Sequence, residues 1–198
     1  MATETNNNPC TRMQISLNWC QGTPVYPGIR RKAFFISKSD IAQWPPLFKE
    51  GVTEFAYYEA AIRLKADAFW KTIDILPEKS QLTSEAQGEA PSQTQLNKLV
   101  LVHPGTGVKA SSATMLNNDD LVFAVFDMNG HIRIVGNDRW TTKTTVAQDL
   151  GQGATGTTST TINVEATDVC TAPFYFADIL TEEGSFTPEV IIKNPLSR

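Results

Sequence analysis

The chain has 198 residues and a net charge of −4, and its sequence pI is near 5.2. This length supports one sizeable hydrophobic core, and the absence of a Lys/Arg block argues against duplex DNA or an anionic membrane surface as a partner. No apolar stretch approaches the roughly 20 residues that span a bilayer, and the polar segment Met1–Pro9 does not have the pattern of a secretory signal.

Strand patterns dominate the first part of the chain. Apolar and polar side chains alternate over Met13–Trp19, and Ala33–Ile36 is a continuous apolar run. Period-two alternation is typical of a half-buried strand. Ser39–Trp44 is predicted to form one helical turn that Ser39 caps and Pro45 ends.

The segment from Glu54 to Leu76 fits either a helix or a strand. The spacing of Phe55, Tyr58, Ile62 and Lys65 suits one face of a helix. The spacing of Ala60, Ile62 and Leu64 equally suits one face of a strand. We favour a hairpin that turns at Ala66-Asp67 and returns over Phe69–Leu76.

A long polar excursion follows from Glu78 to Gln95, rich in Ser, Gln, Glu and Thr. Loops of this length in a compact domain are usually functional or disordered. We therefore predict a mobile assembly loop (78–95) inside a single β-rich domain, 12–182, flanked by a flexible N-terminal segment, 1–11, and a C-terminal tail, 183–198. The candidate assembly residues are Ser80, Gln81, Thr83, Glu85, Gln87, Glu89 and Ser92.

The centre of the chain predicts a strand at Leu96–His103, a short helix at Ala110–Asn118 and a hairpin from Leu121 to Val135. Asn129-Gly130 is the preferred dipeptide of a two-residue type I′ turn. That turn would place Phe123 and Val125 on the same face as Ile132 and Ile134. Because Val122, Ala124 and Phe126 make the opposite face apolar too, the first strand is expected to be central.

Gly151–Gly156 reads Gly-x-Gly-x-x-Gly, the spelling of a dinucleotide-binding turn. That motif requires a helix after the glycines. Here a β-branched run follows, in which Thr160, Ile162, Val164 and Ala166 would share one face of a strand. We reject the dinucleotide interpretation and predict a glycine-rich loop that leads into a strand. Further strands are predicted at Arg139–Val146 and Pro173–Leu180.

The two histidines do not indicate a catalytic site. His131 is expected in solvent at the hairpin tip, and His103 at a strand end suits a structural role. No Gly-x-Ser-x-Gly elbow occurs, and Gly105–Lys109 lacks the Gly-Lys-Ser/Thr ending of a phosphate loop. Asn117–Asp120 lacks the alternating ligand spacing of a calcium loop.

The three cysteines, Cys10, Cys20 and Cys170, are odd in number and widely spaced, which favours reduced thiols in a cytosolic chain. A Cys10–Cys20 bridge is the less favoured alternative. We expect no catalytic residue, cofactor or metal site.

Four stretches carry a resemblance to a known family: RRKAFFISKSDIAQWP (Arg30–Pro45), the segment Thr72–Gly105, DMNGHIRIVGND (Asp127–Asp138) and VCTAPFYFADI (Val169–Ile179). They resemble structural proteins of phages and prophages of gut Bacteroidetes, and the order of the predicted elements resembles the phage tail tube family.

The strand and turn patterns predict a mainly β, mostly antiparallel fold with one or two short helices, and the resemblance implies that it is an antiparallel β-sandwich or barrel. The resemblance also implies hexameric rings that stack into a tube, located in the virion after synthesis in the bacterial cytoplasm. The partners would be other copies of the chain and other tail proteins, with DNA only as passing cargo and no membrane.

One alternative is a β-sandwich binding module of a phage particle, which recognises carbohydrate or a host surface. Aromatic rings that could stack on sugars are available for it, although isolated tryptophans more often complete a core. The residues are Trp19, Trp44, Trp70 and Trp140. An enzyme of unrecognised type is the least favoured hypothesis.

Overall fold

The computed structural model describes residues 17, 19–47, 56–58 and 60–189. Of these residues, 46% lie in strands and 12% in helical segments, which confirms the prediction of a mainly β fold. In chain order the strands are β1 (Ile29–Ser37), β2 (Ile41–Gln43), β3 (Tyr57–Tyr58), β4 (Arg63–Leu64), β5 (Lys71–Asp74), β6 (Gln81–Gln87), β7 (Thr94–Pro104), β8 (Leu121–Asp127), β9 (Ile132–Val135), β10 (Lys143–Asp149), β11 (Ser159–Asp168), β12 (Phe174–Tyr175), β13 (Ile179–Thr181) and β14 (Gly184–Phe186).

The helical segments are short. The predicted helix at Ala110–Asn118 is present as α1 (Val108–Ser112), which continues into the 3-10 helix Ala113–Asn118. The predicted turn of helix at Ser39–Trp44 is wrong, because the 3-10 helix Lys38–Asp40 contains Ser39 and leads directly into β2. The remaining 3-10 helices are Pro77–Lys79 and Gly153–Thr155.

Two sheets form the body of the fold. The large sheet has the strand order β3-β12-β9-β8-β1-β5, and the four-stranded sheet has the order β10-β11-β7-β6. All of their pairs are antiparallel except β12 with β3. The strand β8 lies between β9 and β1 in the large sheet, as its two apolar faces predicted.

The two sheets pack face to face as a sandwich around one hydrophobic core. The large sheet contributes Phe123 and Val125 to it, and the four-stranded sheet contributes Leu99, Leu101 and Ile162. All five side chains are at most 2% exposed. The predicted alternation in β11 is confirmed, since the residues with even numbers from Thr160 to Ala166 are buried and those between them are not.

A second core covers the other face of the large sheet. Phe34, Ala124 and Ile134 project into it from the sheet, and Trp70 and Tyr175 belong to the same cluster. The two-stranded sheets β2-β4 and β13-β14 provide further members, Ile41 and Ile179. The large sheet is therefore buried on both faces, which accounts for the continuous apolar sequence of β8.

The hairpin of β8 and β9 differs from its prediction by one residue. Phe126 pairs with Ile132 and Phe123 with Val135, so three residues, 128–130, form the loop. Gly130 has φ 91°, whereas Asn129 does not share the positive φ that a type I′ turn requires of both residues. A one-residue change of register exchanges the faces of a strand. The predicted grouping of Phe123 and Val125 with Ile132 and Ile134 is therefore wrong.

The predicted hairpin over Glu54–Leu76 is also wrong, although Asp67 does lie in a turn with φ 61°. The strands on either side of this turn do not pair with each other, because β4 pairs with β2 and β5 pairs with β1. Residues 48–55 and 59 lie outside the described part of the chain.

Some predicted element boundaries differ from those in the structure. The strand predicted at Arg139–Val146 begins at Lys143 as β10, and Pro173–Leu180 contains β12 and the first residues of β13. Within the segment predicted as a C-terminal tail, β14 pairs with β13. The predictions for 1–11 and most of Met13–Trp19 lie outside the described residues, and Leu17 and Trp19 are exposed and not in a strand.

Candidate functional site

The strand β6 is the longest part of the segment that was predicted as a mobile loop. Gln81–Gln87 pairs with β7 over seven consecutive residues, from Gln81 with Val100 to Gln87 with Thr94, without a bulge. The loop prediction is therefore wrong for this stretch. Only residues 88–93 remain as a connection, in which the Ser92 N–H donates to the Glu89 carbonyl at 2.9 Å.

One side of β6 has no strand partner in the described part of the chain. In an antiparallel pair, alternate residues direct their N–H and C=O groups away from the partner strand. The outward backbone groups of β6 form no backbone hydrogen bond with another described segment. The strand contains no Pro and no Lys, which are residues that commonly protect an edge from pairing.

The opposite edge of the same sheet is covered. The Val146 N–H of β10 donates to the Asn117 Oδ1 atom at 2.8 Å, and the Thr142 N–H donates to the Asp120 Oδ1 atom at 2.9 Å. The polar turn Asn117–Asp120, which we rejected as a calcium loop, thus supplies side chains that cap a sheet edge. No side chain from the described part of the chain caps the edge at β6 in this way.

The predicted assembly residues are only partly accessible. Ser80 is buried, and its hydroxyl accepts a hydrogen bond from the Val102 N–H at 2.9 Å. The Gln87 amide donates to the Thr167 hydroxyl at 2.9 Å, and Glu85 forms an ion pair with Lys98. Five of the seven side chains are exposed: Gln81, Thr83, Glu85, Glu89 and Ser92.

A groove runs beside the free edge of β6. Its volume is about 490 Å³, and the chain from Ser80 to Ser84 lines it together with Gly28, Ile29 and Ala172. Arg133 forms part of the wall, where its guanidinium donates to the Ala172 carbonyl at 2.8 Å and lies 3.4 Å from the centre of the Phe174 ring. Burial lowers the pKa of this guanidinium. The groove therefore combines polar and apolar side chains with one guanidinium, Arg133, and one carboxylate, Asp127.

The glycine-rich segment does not have the structure of a nucleotide-binding turn. The 3-10 helix Gly153–Thr155 leads into the strand β11 rather than into a helix, as the sequence predicted. A Cβ atom on Gly156 would collide with the Gln152 backbone nitrogen, so close approach within the loop explains this glycine.

Both histidines have structural partners. The His131 Nδ1 atom lies 3.0 Å from the Asp127 Oδ2 atom, and its ring packs edge-on against Phe174. His131 is partly buried by these contacts, so the prediction that it lies in solvent is wrong. The His103 Nδ1 atom lies 2.7 Å from the Asp74 carbonyl oxygen. Neither ring contacts a Ser, Thr or Cys side chain by a hydrogen bond within the described residues.

Two cysteines lie in the described part, and both are free. Cys20 is exposed, whereas Cys170 is buried, and burial raises the pKa of its thiol to about 12. Cys10 lies outside the described residues. Within those residues, no group of three or more His, Cys, Asp or Glu side chains is placed to hold a metal ion, and no helix has the length and apolar character to cross a membrane.

The four tryptophans differ in environment. Trp70 is 2% exposed and belongs to the second core, while Trp19 is exposed. Trp44 lines a cavity of about 190 Å³, and Tyr58, Asn137 and Asp168 also line it. Sequence reasoning missed this cavity. Asp168 gave a signal for it, because the alternation of β11 places this carboxylate at a buried position.

No family model matches this chain, and no curated protein or solved structure is similar to it at a significant level.

Proposed function

We propose that this chain is a non-enzymatic structural subunit that assembles with copies of itself through the free edge of β6. The resemblance to phage tail tube proteins directs the proposal further, toward rings that stack into a virion tube through which DNA passes. The observation that carries the assembly step is the seven-residue, unbulged edge of the four-stranded sheet, which no described segment of the chain covers.

An uncovered edge of this kind is a template for another strand. Natural sheets usually protect such edges with Pro, Lys, bulges or a covering segment. Among the residues that the structure describes, side chains cover the edge at β10 but not the edge at β6. This asymmetry favours a second copy as the cover of β6, and a head-to-tail contact between unlike surfaces closes into a ring when the rotation allows it.

Two exposed apolar side chains, Leu17 and Trp19, are available for contact with a second copy. Leu17 is 88% exposed and Trp19 is 69% exposed, so neither is buried in its own subunit. Contact with a neighbouring copy would bury the apolar surface that these two side chains expose to solvent.

The charge of the chain is compatible with a conduit for DNA. A net charge of −4 does not favour retention of phosphates.

Assembly can be tested on the full chain by sedimentation velocity and negative-stain electron microscopy. A double variant, Thr83→Lys with Ala86→Lys, adds two charges to the free edge at exposed positions. The matched control is Thr145→Lys with Ala147→Lys, which makes the same changes at exposed positions of the covered edge, β10. Circular dichroism verifies the fold of each variant.

We expect the native chain and the control to form rings or tubes, and the β6 variant to remain monomeric. A native chain that stays monomeric at high concentration overturns the assembly proposal. Equal assembly of both variants overturns the role of β6. Dimers without rings or tubes retain the edge contact but overturn the tail tube function.

A further inference from the structure

The loop between β8 and β9 holds the segment that leads into β1. The Tyr26 N–H donates to the Asn129 Oδ1 atom at 3.1 Å, and the Asn129 Nδ2 atom donates to the Tyr26 carbonyl at 3.2 Å. The Met128 N–H donates to the Gly28 carbonyl at 3.1 Å. We call residues 26–28 the strap. One side-chain amide, that of Asn129, makes two of these three hydrogen bonds to it.

Burial contributes little to the position of the strap. The side chains of residues 21–28 are all exposed, including Val25 at 68% and Tyr26 at 59%. None of these residues belongs to a strand or a helix. Because the strap buries little apolar surface, its position depends on its hydrogen bonds to the loop, and above all on those of Asn129.

Glycine follows Asn129, and an Asn-Gly dipeptide can react with itself. The backbone nitrogen of Gly130 attacks the side-chain Cγ atom of Asn129, the Cγ–Nδ2 bond breaks, and ammonia leaves with the proton of the attacking nitrogen. Water then opens the cyclic imide at one of its two carbonyls, which yields aspartate or isoaspartate. Glycine favours this cyclisation because it has no Cβ atom to hinder the attack and its backbone is permissive.

In the structure, both reacting groups are engaged elsewhere. The Gly130 N–H donates to the Asp127 carbonyl at 3.1 Å, and the Gly130 carbonyl accepts from the Glu189 N–H at 3.1 Å. The Asn129 amide is held toward the strap by its two hydrogen bonds with Tyr26. The attack requires this amide to leave Tyr26 and to turn toward the Gly130 nitrogen. The docked strap therefore protects Asn129 from cyclisation.

The reaction also removes the contact that restrains it. The Asn129 amide offers Tyr26 one donor and one acceptor, whereas an ionised carboxylate is an acceptor only. In the aspartate product, an oxygen would face the Tyr26 carbonyl oxygen at the position from which Nδ2 now donates. In the isoaspartate product, an additional carbon enters the backbone of the loop and displaces the carboxylate. Neither product can re-form the paired hydrogen bonds with Tyr26.

We propose that Asn129 is a site of spontaneous deamidation, that the docked strap controls its rate, and that the modification releases the strap irreversibly. The reaction needs only water and the chain's own groups. Gly28 of the strap lines the groove beside β6, so release changes one wall of that groove. The proposal does not depend on assembly through β6, because every contact that it uses lies within one subunit.

The first experiment measures deamidation of the full chain in neutral buffer, by peptide mapping and mass spectrometry. Tyr26→Pro removes the N–H that donates to Asn129, whereas the matched control Tyr26→Ala keeps it. Loss of this hydrogen bond should raise the rate of deamidation about threefold or more in Tyr26→Pro. The rate in Tyr26→Ala should remain close to that of the native chain. The urea-unfolded chain gives the rate of the unprotected dipeptide.

The second experiment measures release of the strap by hydrogen exchange of the Met128 amide, which donates to Gly28 in the docked state. Asn129→Ala removes both hydrogen bonds to Tyr26, and Asn129→Asp reproduces one reaction product. Asn118→Asp is the control, because it makes the same change at an exposed asparagine outside the loop. Exchange of the Met128 amide should rise about fivefold or more in both Asn129 variants. The control should match the native chain.

Circular dichroism verifies the β fold of each variant. Native deamidation as fast as that of the unfolded chain overturns protection by the strap, and so do equal rates in Tyr26→Pro and Tyr26→Ala. Met128 exchange that neither Asn129 variant changes overturns the role of Asn129 in holding the strap. An unfolded chain that leaves Asn129 unmodified overturns the modification site itself.

Discussion

Replacement of Leu101 by Ala should measure how much the core between the two sheets contributes to the free energy of unfolding. Leu101 is 0% exposed on β7 and contacts the core from the four-stranded sheet. The change removes three carbons, worth about 0.8 kcal/mol each on transfer, or about 2.4 kcal/mol. Since β7 is paired on both sides and cannot collapse freely into the gap, the remaining cavity should raise the loss to about 2.7–5 kcal/mol.

Val100→Ala is the matched control, because the neighbouring residue faces the opposite side of β7 and is only half-buried. Two carbons at half burial predict a loss of about 0.8 kcal/mol. Urea denaturation gives both values, and thermal melting of the Leu101 variant should drop by roughly 5–20 °C. Equal losses for the two variants would refute the sandwich, since the two faces of β7 would then be equivalent.

Three further predictions concern single residues. Gly130→Val should cost about 1–3 kcal/mol in urea denaturation, because Gly130 has φ 91° and a Cβ atom there would lie 2.9 Å from the Glu189 Cβ atom; unchanged stability would contradict the turn. Burial raises the pKa of Asp168 above its ordinary value of 3.8, so the folded state holds the carboxyl proton more tightly than the unfolded state does. The contribution of Asp168 to stability therefore falls as the pH rises above 3.8. The gain in unfolding free energy from Asp168→Asn should therefore be larger at about pH 7 than at about pH 3.5, and the reverse order would refute the shift. Brief alkylation at about pH 8, followed by peptide mapping, should label Cys20 in the folded chain and spare Cys170 until the chain unfolds; equal labelling would contradict the burial of Cys170.

The strands with buried faces were predictable from their sequences. In β11 the even-numbered positions from Thr160 to Ala166 carry Thr or apolar side chains, and the odd-numbered positions between them carry polar ones. The structure buries the even-numbered face. In β8 both faces are apolar because both sides of the large sheet are covered. A buried strand face therefore leaves a pattern of apolar side chains in the sequence, and both strands show such a pattern.

The sequence of β6 shows no such apolar pattern. Its side chains are mostly polar and exposed, so its conformation depends on backbone pairing with β7 rather than on burial. The prediction of a two-residue turn at Asn129-Gly130 was wrong for another reason. The same dipeptide serves a two-residue and a three-residue loop, and only the tertiary context decides between them.

The cavity at Trp44 could not be predicted as a unit. Its walls come from Trp44, Tyr58, the connection 137–139 and Asp168, which are brought together only by the packing of both sheets. Local patterns contain no information about such distant neighbours. The buried carboxylate of Asp168 was the one trace that a sequence alone could have offered.

The position of β8 links the two hydrophobic cores into a single cooperative unit. Its backbone pairs on both sides, with β1 and β9, while its side chains enter one core or the other in alternation. Neither core can open without disturbing the strand that both share. The amide hydrogens of β8 should accordingly exchange with solvent only when the whole domain unfolds, so that their exchange rate reports the global stability of the chain.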